Sequence, residues 1–386
     1  MQLWYDMSNH KETIIHAVFV LPSLAFGGGI ETHTVKILRT INRSRFKCSL
    51  ITLFEHPERP DLYGEVPSDV RVVRLASKGI GHLSTWKMMY GALKREEPDV
   101  VISSMFSPNA IVRSLKPFFD YKVITREHNT YDEKRWYHRV IDHALSFLSD
   151  AIVAVSSDVA DFAARQARIP RHKFTVINNG VELDVIDAYI ATSGPDISRV
   201  RSELGLSGDE KFILNVARLK PTKDHTLLLD AFKIFLERHP NYHLVIAGDG
   251  SERPAVEKRI KTLGLSKRAH LLGYRSDIYA WFAAADMFVL SSKREGFPNV
   301  ALEAAAFGLP IVSTDVAGIH DVVEEGENGC IVNHNPKGLA EGLQRVASLT
   351  PAEHKVVRLT DRAITTRFNI PSVTRTYESL IEKLGT

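Results

Sequence analysis

Cysteine is nearly absent: a chain of 386 residues holds two, Cys48 and Cys330, in different halves and inside strand-like runs (CSLITLF and GCIVN). A disulfide framework is excluded, and buried free thiols in a reducing compartment are expected. No apolar run approaches the roughly 20 residues that a membrane span needs. The opening MQLWYDMSNHKET lacks a signal-peptide core, so a soluble, cytoplasmic chain is expected. Charge of one sign is lacking too. A formal net charge of +3 is too small to argue for nucleic acid as a partner. Internal repeats of solenoid length and low-complexity tracts are missing. So is the G-x-G-x-x-G spacing of a dinucleotide fingerprint after the first strand, which argues against a nicotinamide-dependent oxidoreductase.

What is present is alternation. The length favours two domains, and short apolar runs alternate with helical patterns along most of the chain. In the first half, strands are expected at 14–21, 47–54, 70–75, 99–103, 121–125 and 151–156. Helices are expected at 30–41, 84–95, 107–116 and 134–148, with Ser156-Ser157-Asp158 capping a further one. Such βα repetition builds a parallel sheet covered on both faces, with ligands beyond the carboxyl ends of its strands. After the first strand, three glycines in GGGIETH (27–33) would let backbone amides approach a phosphate closely, with a flexible, ligand-free turn as the lesser alternative. Residues 185–209 lose the pattern and collect Gly194, Pro195, Gly205 and Gly208, which places a domain boundary near residue 190. A second alternating block begins with KFILNVA (211–217), and residues 336–348 and 352–366 read as helices.

The most informative stretch is Asp286 to Gly318, a strand, a loop, an alanine-rich helix over 300–307 and a second strand at 311–314. Asn299 is a good helix cap, Gly308 a good stop, and Pro310 prevents continuation. A helix start attracts anions, and two carboxylates flank this one: Glu295 before the helix and Glu303 one turn inside it. Carboxylates accept hydrogen bonds from the hydroxyls of a sugar or ribose, so the chemistry suggested is a nucleotide sugar. Solvated helix faces are the plainer alternative.

Glu295 and Glu303, with seven residues between them in EGFPNVALEA…GLPIVSTDVAG, resemble the E-x7-E signature of glycosyltransferase family 4. VARLKPTKDHTLLLDAF (216–232) is similar to the family's G-R-L-x-x-x-K-G segment, with Ala217 and Asp224 in place of its commoner glycines. GGGIETH resembles its GG-x-E-x-H loop, and FTVINNGVELD (174–184) the end of its first domain. The resemblance implies the GT-B fold: two Rossmann-like, doubly wound α/β domains facing across a cleft, with a C-terminal helix crossing back to the first domain. The expected division is 1–190 on the acceptor side, 191–368 for the donor, and 369–386 as the returning helix.

It further implies a retaining hexosyltransferase that uses a nucleoside-diphosphate sugar, UDP favoured and GDP the other candidate. The acceptor would be a glycan or lipid-linked glycan in cell-surface polysaccharide, lipopolysaccharide or other glycoconjugate synthesis. Arg218 and Lys223 would neutralise the leaving diphosphate, Glu295 would position sugar hydroxyls, and Glu303 would hold the ribose. His128, at the end of a first-domain strand, would face the donor sugar, with Glu127 and Arg126 beside it as acceptor contacts or helix caps. Gly28 and Gly29 would approach the donor phosphates. Gly296, Phe297, Asn299 and Val300 line the same loop and helix start, Gly248 belongs to a G-x-G turn (GDG, 248–250), and the backbone at Tyr274 and Arg275 would read the base. No metal and no cofactor is implied, and no D-x-D motif sits at a strand end near the cleft. Residues 77–93 put Trp86, Met89, Tyr90 and Leu93 close together on a helix near Lys78 and Lys87, either a peripheral membrane surface or a helix packing on its sheet. A sugar-nucleotide epimerase of the same fold and a catalytically silent binder remain as alternatives.

Overall fold

The computed structural model describes residues 14–25, 29–56, 60–130 and 136–385. Seven parallel strands form the first sheet: β1 (Ile15–Leu21), β2 (Phe46–Thr52), β3 (Arg71–Arg74), β4 (Val100–Ser104), β5 (Lys122–Glu127), β6 (Ala151–Ala154) and β7 (Phe174–Val176). Their order is β3-β2-β1-β4-β5-β6-β7. Six more form the second: β8 (Lys211–Val216), β9 (Tyr242–Ala247), β10 (Ala269–Gly273), β11 (Met287–Leu290), β12 (Ile311–Thr314) and β13 (Gly329–Val332). Their order, β10-β9-β8-β11-β12-β13, repeats the doubly wound pattern of the first. In each sheet the strand order reverses beside the first strand, and the crevice at that reversal is where such sheets bind ligands.

Burial on both faces explains why the central strands read as unbroken apolar runs. All of β1 is buried. Ile15, Ala17, Phe19 and Leu21 face one core, while Val18 and Val20 face another that holds Met89, Leu93 and Ile111. The first of these cores also receives Val373, Tyr377 and Ile381 from the helix Ile370–Gly385, so the end of the chain returns to the first sheet. Thr40 and Thr374 share a 2.6 Å hydrogen bond across that contact. Both cysteines are buried and free, and burial pushes the Cys48 thiol up to about 12.

The stretch expected to be irregular, 185–209, differs. It carries the helices Leu183–Ile190 and Gly194–Glu203, with Val200 wholly buried. Gly194-Pro195 reads as a breaker, but proline in the first turn of a helix gives up no hydrogen bond and starts one. The helix expected within 77–93 packs on its sheet through part of the named set, while Tyr90 stays exposed. In Leu83–Glu96, Met89 and Leu93 are buried against the sheet, and the Trp86 indole donates to the Ile80 carbonyl.

Candidate active site in the interdomain cleft

The carboxyl ends of β1, β4 and β5 oppose those of β8 and β11 across a cavity of about 580 Å³. On the second-domain side, the turn after β8 carries Arg218 and Lys223 into the wall, and the loop after β11 carries Glu295 to Asn299. Lys223 Nζ meets Glu295 Oε1 at 2.5 Å, and Ser292 Oγ donates to the same oxygen at 2.6 Å. Ser291 Oγ holds the Lys223 carbonyl at 2.9 Å, which fixes the lysine backbone against the strand that delivers the glutamate. Asp224 follows in the left-handed region (φ +44°) and caps the helix His225–Leu236. That conformation accounts for the glycine the family motif prefers there, and aspartate is among the residues that tolerate it.

The helix Asn299–Ala306 starts at the cavity wall, where Pro298, Asn299 and Val300 all lie. Asn299 is not its cap, contrary to expectation. It is the first helical residue, and its Oδ1 accepts from Asn179 Nδ2 at 2.9 Å, across the interface between the domains. The helix ends before Gly308, at φ +71°.

On the first-domain side, His128 sits at the end of β5 with both ring nitrogens buried and, among the described residues, without a hydrogen-bond partner. Burial, with Arg126 and His33 nearby, holds its pKa well below the usual imidazole value, so the ring is neutral. Gly29 opens the helix Gly29–Thr40 so close to the second domain that a Cβ would lie 2.9 Å from Asn299 Nδ2. Gly28 lies outside the described residues. Glu31, two residues on, lines the cavity with its carboxyl pKa raised, burial outweighing the opposing effects of its own backbone amide and of Arg218.

Several expected residues stand off this wall. Arg126 is the clearest correction: it is 1% exposed and bonds Thr34 Oγ1 at 3.0 Å and His33 Nδ1 at 3.2 Å. Strand alternation turns it under the Gly29–Thr40 helix, where it braces that helix and can touch no acceptor. Glu127 is half-buried and faces Asn109 Nδ2 at 3.5 Å. Gly248 serves packing: at φ +137°, a Cβ there would come within 2.0 Å of the Ala217 carbonyl. Arg275 is engaged by Asp277 and Glu203 and lies over the Trp281 ring, next to an exposed Tyr274. Glu303 lies one turn in, with burial raising its carboxyl, Lys36 opposing and Glu182 reinforcing that shift.

Sequence reasoning missed Glu31, Ser291, Ser292 and Asn179. Glu31 and Asn179 lie inside quoted motifs, and the two serines immediately precede the Glu295 loop. A polar seam joins the domains around that loop. Ser156 Oγ donates to the Gly296 carbonyl at 2.8 Å, Gly318 N donates to Asp158 at 2.9 Å, and Asn178 Nδ2 donates to Asp321 at 3.1 Å. Among the described residues, no group of three or more His, Cys, Asp or Glu side chains is arranged to hold a metal ion.

Two family models match the chain, Glycosyltransferase Family 4 over residues 27–185 and Glycosyl transferases group 1 over 196–361. An uncharacterized glycosyltransferase of Methanocaldococcus jannaschii is 28% identical over 342 residues, covering 83% of this chain and 85% of that protein. The lipopolysaccharide core biosynthesis glycosyltransferase LpsE of Rhizobium meliloti is 32% identical over 204 residues, but the match spans only 52% of this chain and 58% of LpsE. The crystal structure of Anabaena HepE in complex with UDP superposes with a TM-score of 0.81 at 20% identity, covering 96% of this chain and 100% of that one. At that identity the likeness is one of fold.

Proposed function

The chain belongs to the GT-B glycosyltransferases of family 4, and from that premise we propose that it is a retaining hexosyltransferase that uses a nucleoside-diphosphate sugar. The observation that carries the reading is the gathering of Arg218, Lys223 and Glu295 opposite His128 in one cavity. Two cations beside a helix start suit a diphosphate, and a carboxylate next to them suits the hydroxyls of the attached sugar. In this reading Glu303 holds the ribose, and the backbone at Tyr274 and Arg275 borders the base. UDP is favoured over GDP, a choice that HepE's complex with UDP supports. The glycosyl–oxygen bond breaks, and Arg218 and Lys223 stabilise the charge that develops on the departing diphosphate. The acceptor hydroxyl attacks from the face that diphosphate leaves, and its proton passes to a phosphate oxygen. Neutral His128 contacts the sugar and carries no proton in the transfer. No metal is needed for this step, so chelation should leave the rate unchanged.

The acceptor is proposed to be a glycan or lipid-linked glycan of a cell-surface polysaccharide or glycoconjugate, entering on the first-domain side. LpsE, named for lipopolysaccharide core biosynthesis, supports that class. No helix among the described residues is long and apolar enough to cross a membrane. Peripheral contact would fall on the helix Trp136–Leu145 and the turn after it, where Trp136, Val140 and Phe147 are exposed and Lys173 lies over the Phe147 ring. Flotation with anionic vesicles at low salt tests this, and protein left at the bottom of the gradient would refute it.

Thermal unfolding with UDP, GDP, ADP and NAD tests the donor assignment. At about 100-fold excess over Kd, the right nucleotide adds roughly 2.7 kcal/mol. Stabilisation by one nucleoside diphosphate, followed by sugar transfer with the anomeric configuration kept, is expected. Stabilisation by NAD alone, or by nothing, would overturn the reading. Interconversion of the nucleotide sugar without an acceptor would point to an epimerase, and binding without turnover to a silent member of the fold.

A further inference from the structure

The carboxylate of Glu295 is held from its own domain, by Lys223 and Ser292. The main chain that follows it is held from the other one. Ser156, wholly buried at the end of β6, uses its hydroxyl twice: Oγ donates to the Gly296 carbonyl at 2.8 Å and accepts from Val159 N at 3.2 Å. The second contact caps the helix Ser157–Ala167. Two residues on, Asp158 accepts from Gly318 N at 2.9 Å. Gly318 itself stands so close that a Cβ there would lie 2.8 Å from the Gly296 carbonyl. One first-domain helix start thus offers a donor to one second-domain loop and an acceptor to its neighbour. There is little room for slack: a Cβ on Gly296 would fall 1.9 Å from the His128 carbonyl.

We propose that Ser156 is a positioning residue that ties Glu295 to domain closure, so that the sugar-binding carboxylate reaches its working place only when the first domain grips the Gly296 carbonyl. The proposal rests on the reading of Glu295 as the donor-sugar contact. Nucleotide binding, carried mainly by Arg218, Lys223 and Glu303 of the second domain, does not need this grip. Catalysis does, because a displacement of about 1 Å at a reacting centre costs on the order of 100-fold in rate. Opening the cleft would hand the Ser156 hydroxyl and the Gly296 carbonyl to water, which makes the tie reversible in each catalytic cycle.

The test compares Ser156→Ala and Ser156→Thr with the wild type. Ser156→Ala should lower kcat at least about 10-fold while the Kd for UDP or GDP stays within about twofold, and Ser156→Thr, which keeps the hydroxyl, should recover most of the rate. Hydrogen exchange of residues 294–299 should rise in the alanine variant. If loss of the cap prevents folding, Ser156→Gly, which a helix cap tolerates better than alanine, also removes the hydroxyl and should show the same split between kcat and Kd. Unchanged kcat in a folded variant, or kcat and Kd weakening together, would overturn the proposal. Should the wild type transfer no sugar from any donor, the transferase reading fails separately. Exchange at 294–299 then decides the tie alone, faster exchange in Ser156→Ala supporting it and unchanged exchange overturning it.

Discussion

Lys223 Nζ lies 2.5 Å from Glu295 Oε1, in a contact between residues 72 positions apart. Both side chains are mostly buried, 22% exposed for the lysine and 12% for the glutamate. Each charge neutralises the other, and Ser292 takes a share of the carboxylate. In the proposed reading, the pair keeps a cation and an anion ordered where a diphosphate sugar would offer the opposite charge and its hydroxyls.

Lys223→Ala should therefore lower turnover by roughly 100-fold or more, the size seen when one transition-state charge stabiliser is removed. Glu295 keeps its Ser292 hydrogen bond, so the fold should survive. Release of nucleoside diphosphate during transfer measures this, and a wild-type rate would remove Lys223 from the site.

Gly296→Ala should hold the cleft open. The added methyl would fall 1.9 Å from the His128 carbonyl, which is backbone and cannot swing aside. A rate loss of about 100-fold is expected with nucleotide binding retained. Small-angle scattering should show a larger radius of gyration with donor bound, and a wild-type radius and rate would contradict the close approach.

Asp224 holds a left-handed backbone while its carboxylate accepts from Leu227 N at 3.3 Å and meets Lys293 at 3.1 Å and His334 at 3.2 Å. Asp224→Ala loses all three contacts and keeps the steric cost of that backbone, so a loss of about 1–2 kcal/mol is expected. Asp224→Gly loses the same contacts without the steric cost. Urea midpoints should rank wild type, then glycine, then alanine, and equal midpoints for the two variants would count against backbone strain.

Asp361 is buried, and burial raises its carboxyl to about 8, with one hydrogen bond, from Asn328, opposing. A carboxyl raised on folding binds more protons in the native state than in the unfolded one. Its contribution is therefore favourable at low pH and is lost as pH rises from the unfolded value near 4 through about 8. Asp361→Asn keeps an acceptor for Asn328 and carries no charge. It should raise stability above pH 8 by about 1–3 kcal/mol and change little at pH 4. Parallel pH profiles for the two proteins would refute the assignment.

The amino-acid order by itself determined most of the strands and helices, the stop at Gly308 and the spacing of Glu295 and Glu303, because each depends on neighbours within a turn or a pleat. The grouping of Arg218 and Lys223 was legible for the same reason, since both lie on one short turn after β8. Tertiary structure decided the rest. Whether Arg126 meets an acceptor or sits under a helix depends on which face of β5 that helix covers, 92 residues away at Thr34. Asn299 lost its expected capping role to a bond with Asn179, 120 residues earlier. Ser156 reads as a simple helix cap until a second domain brings the Gly296 carbonyl to its hydroxyl, 140 residues on. Hydrophobic periodicity records which face of an element is buried, but it carries no information about which distant polar group will arrive there. That is settled only when the two sheets close on each other and each buried donor must find an acceptor.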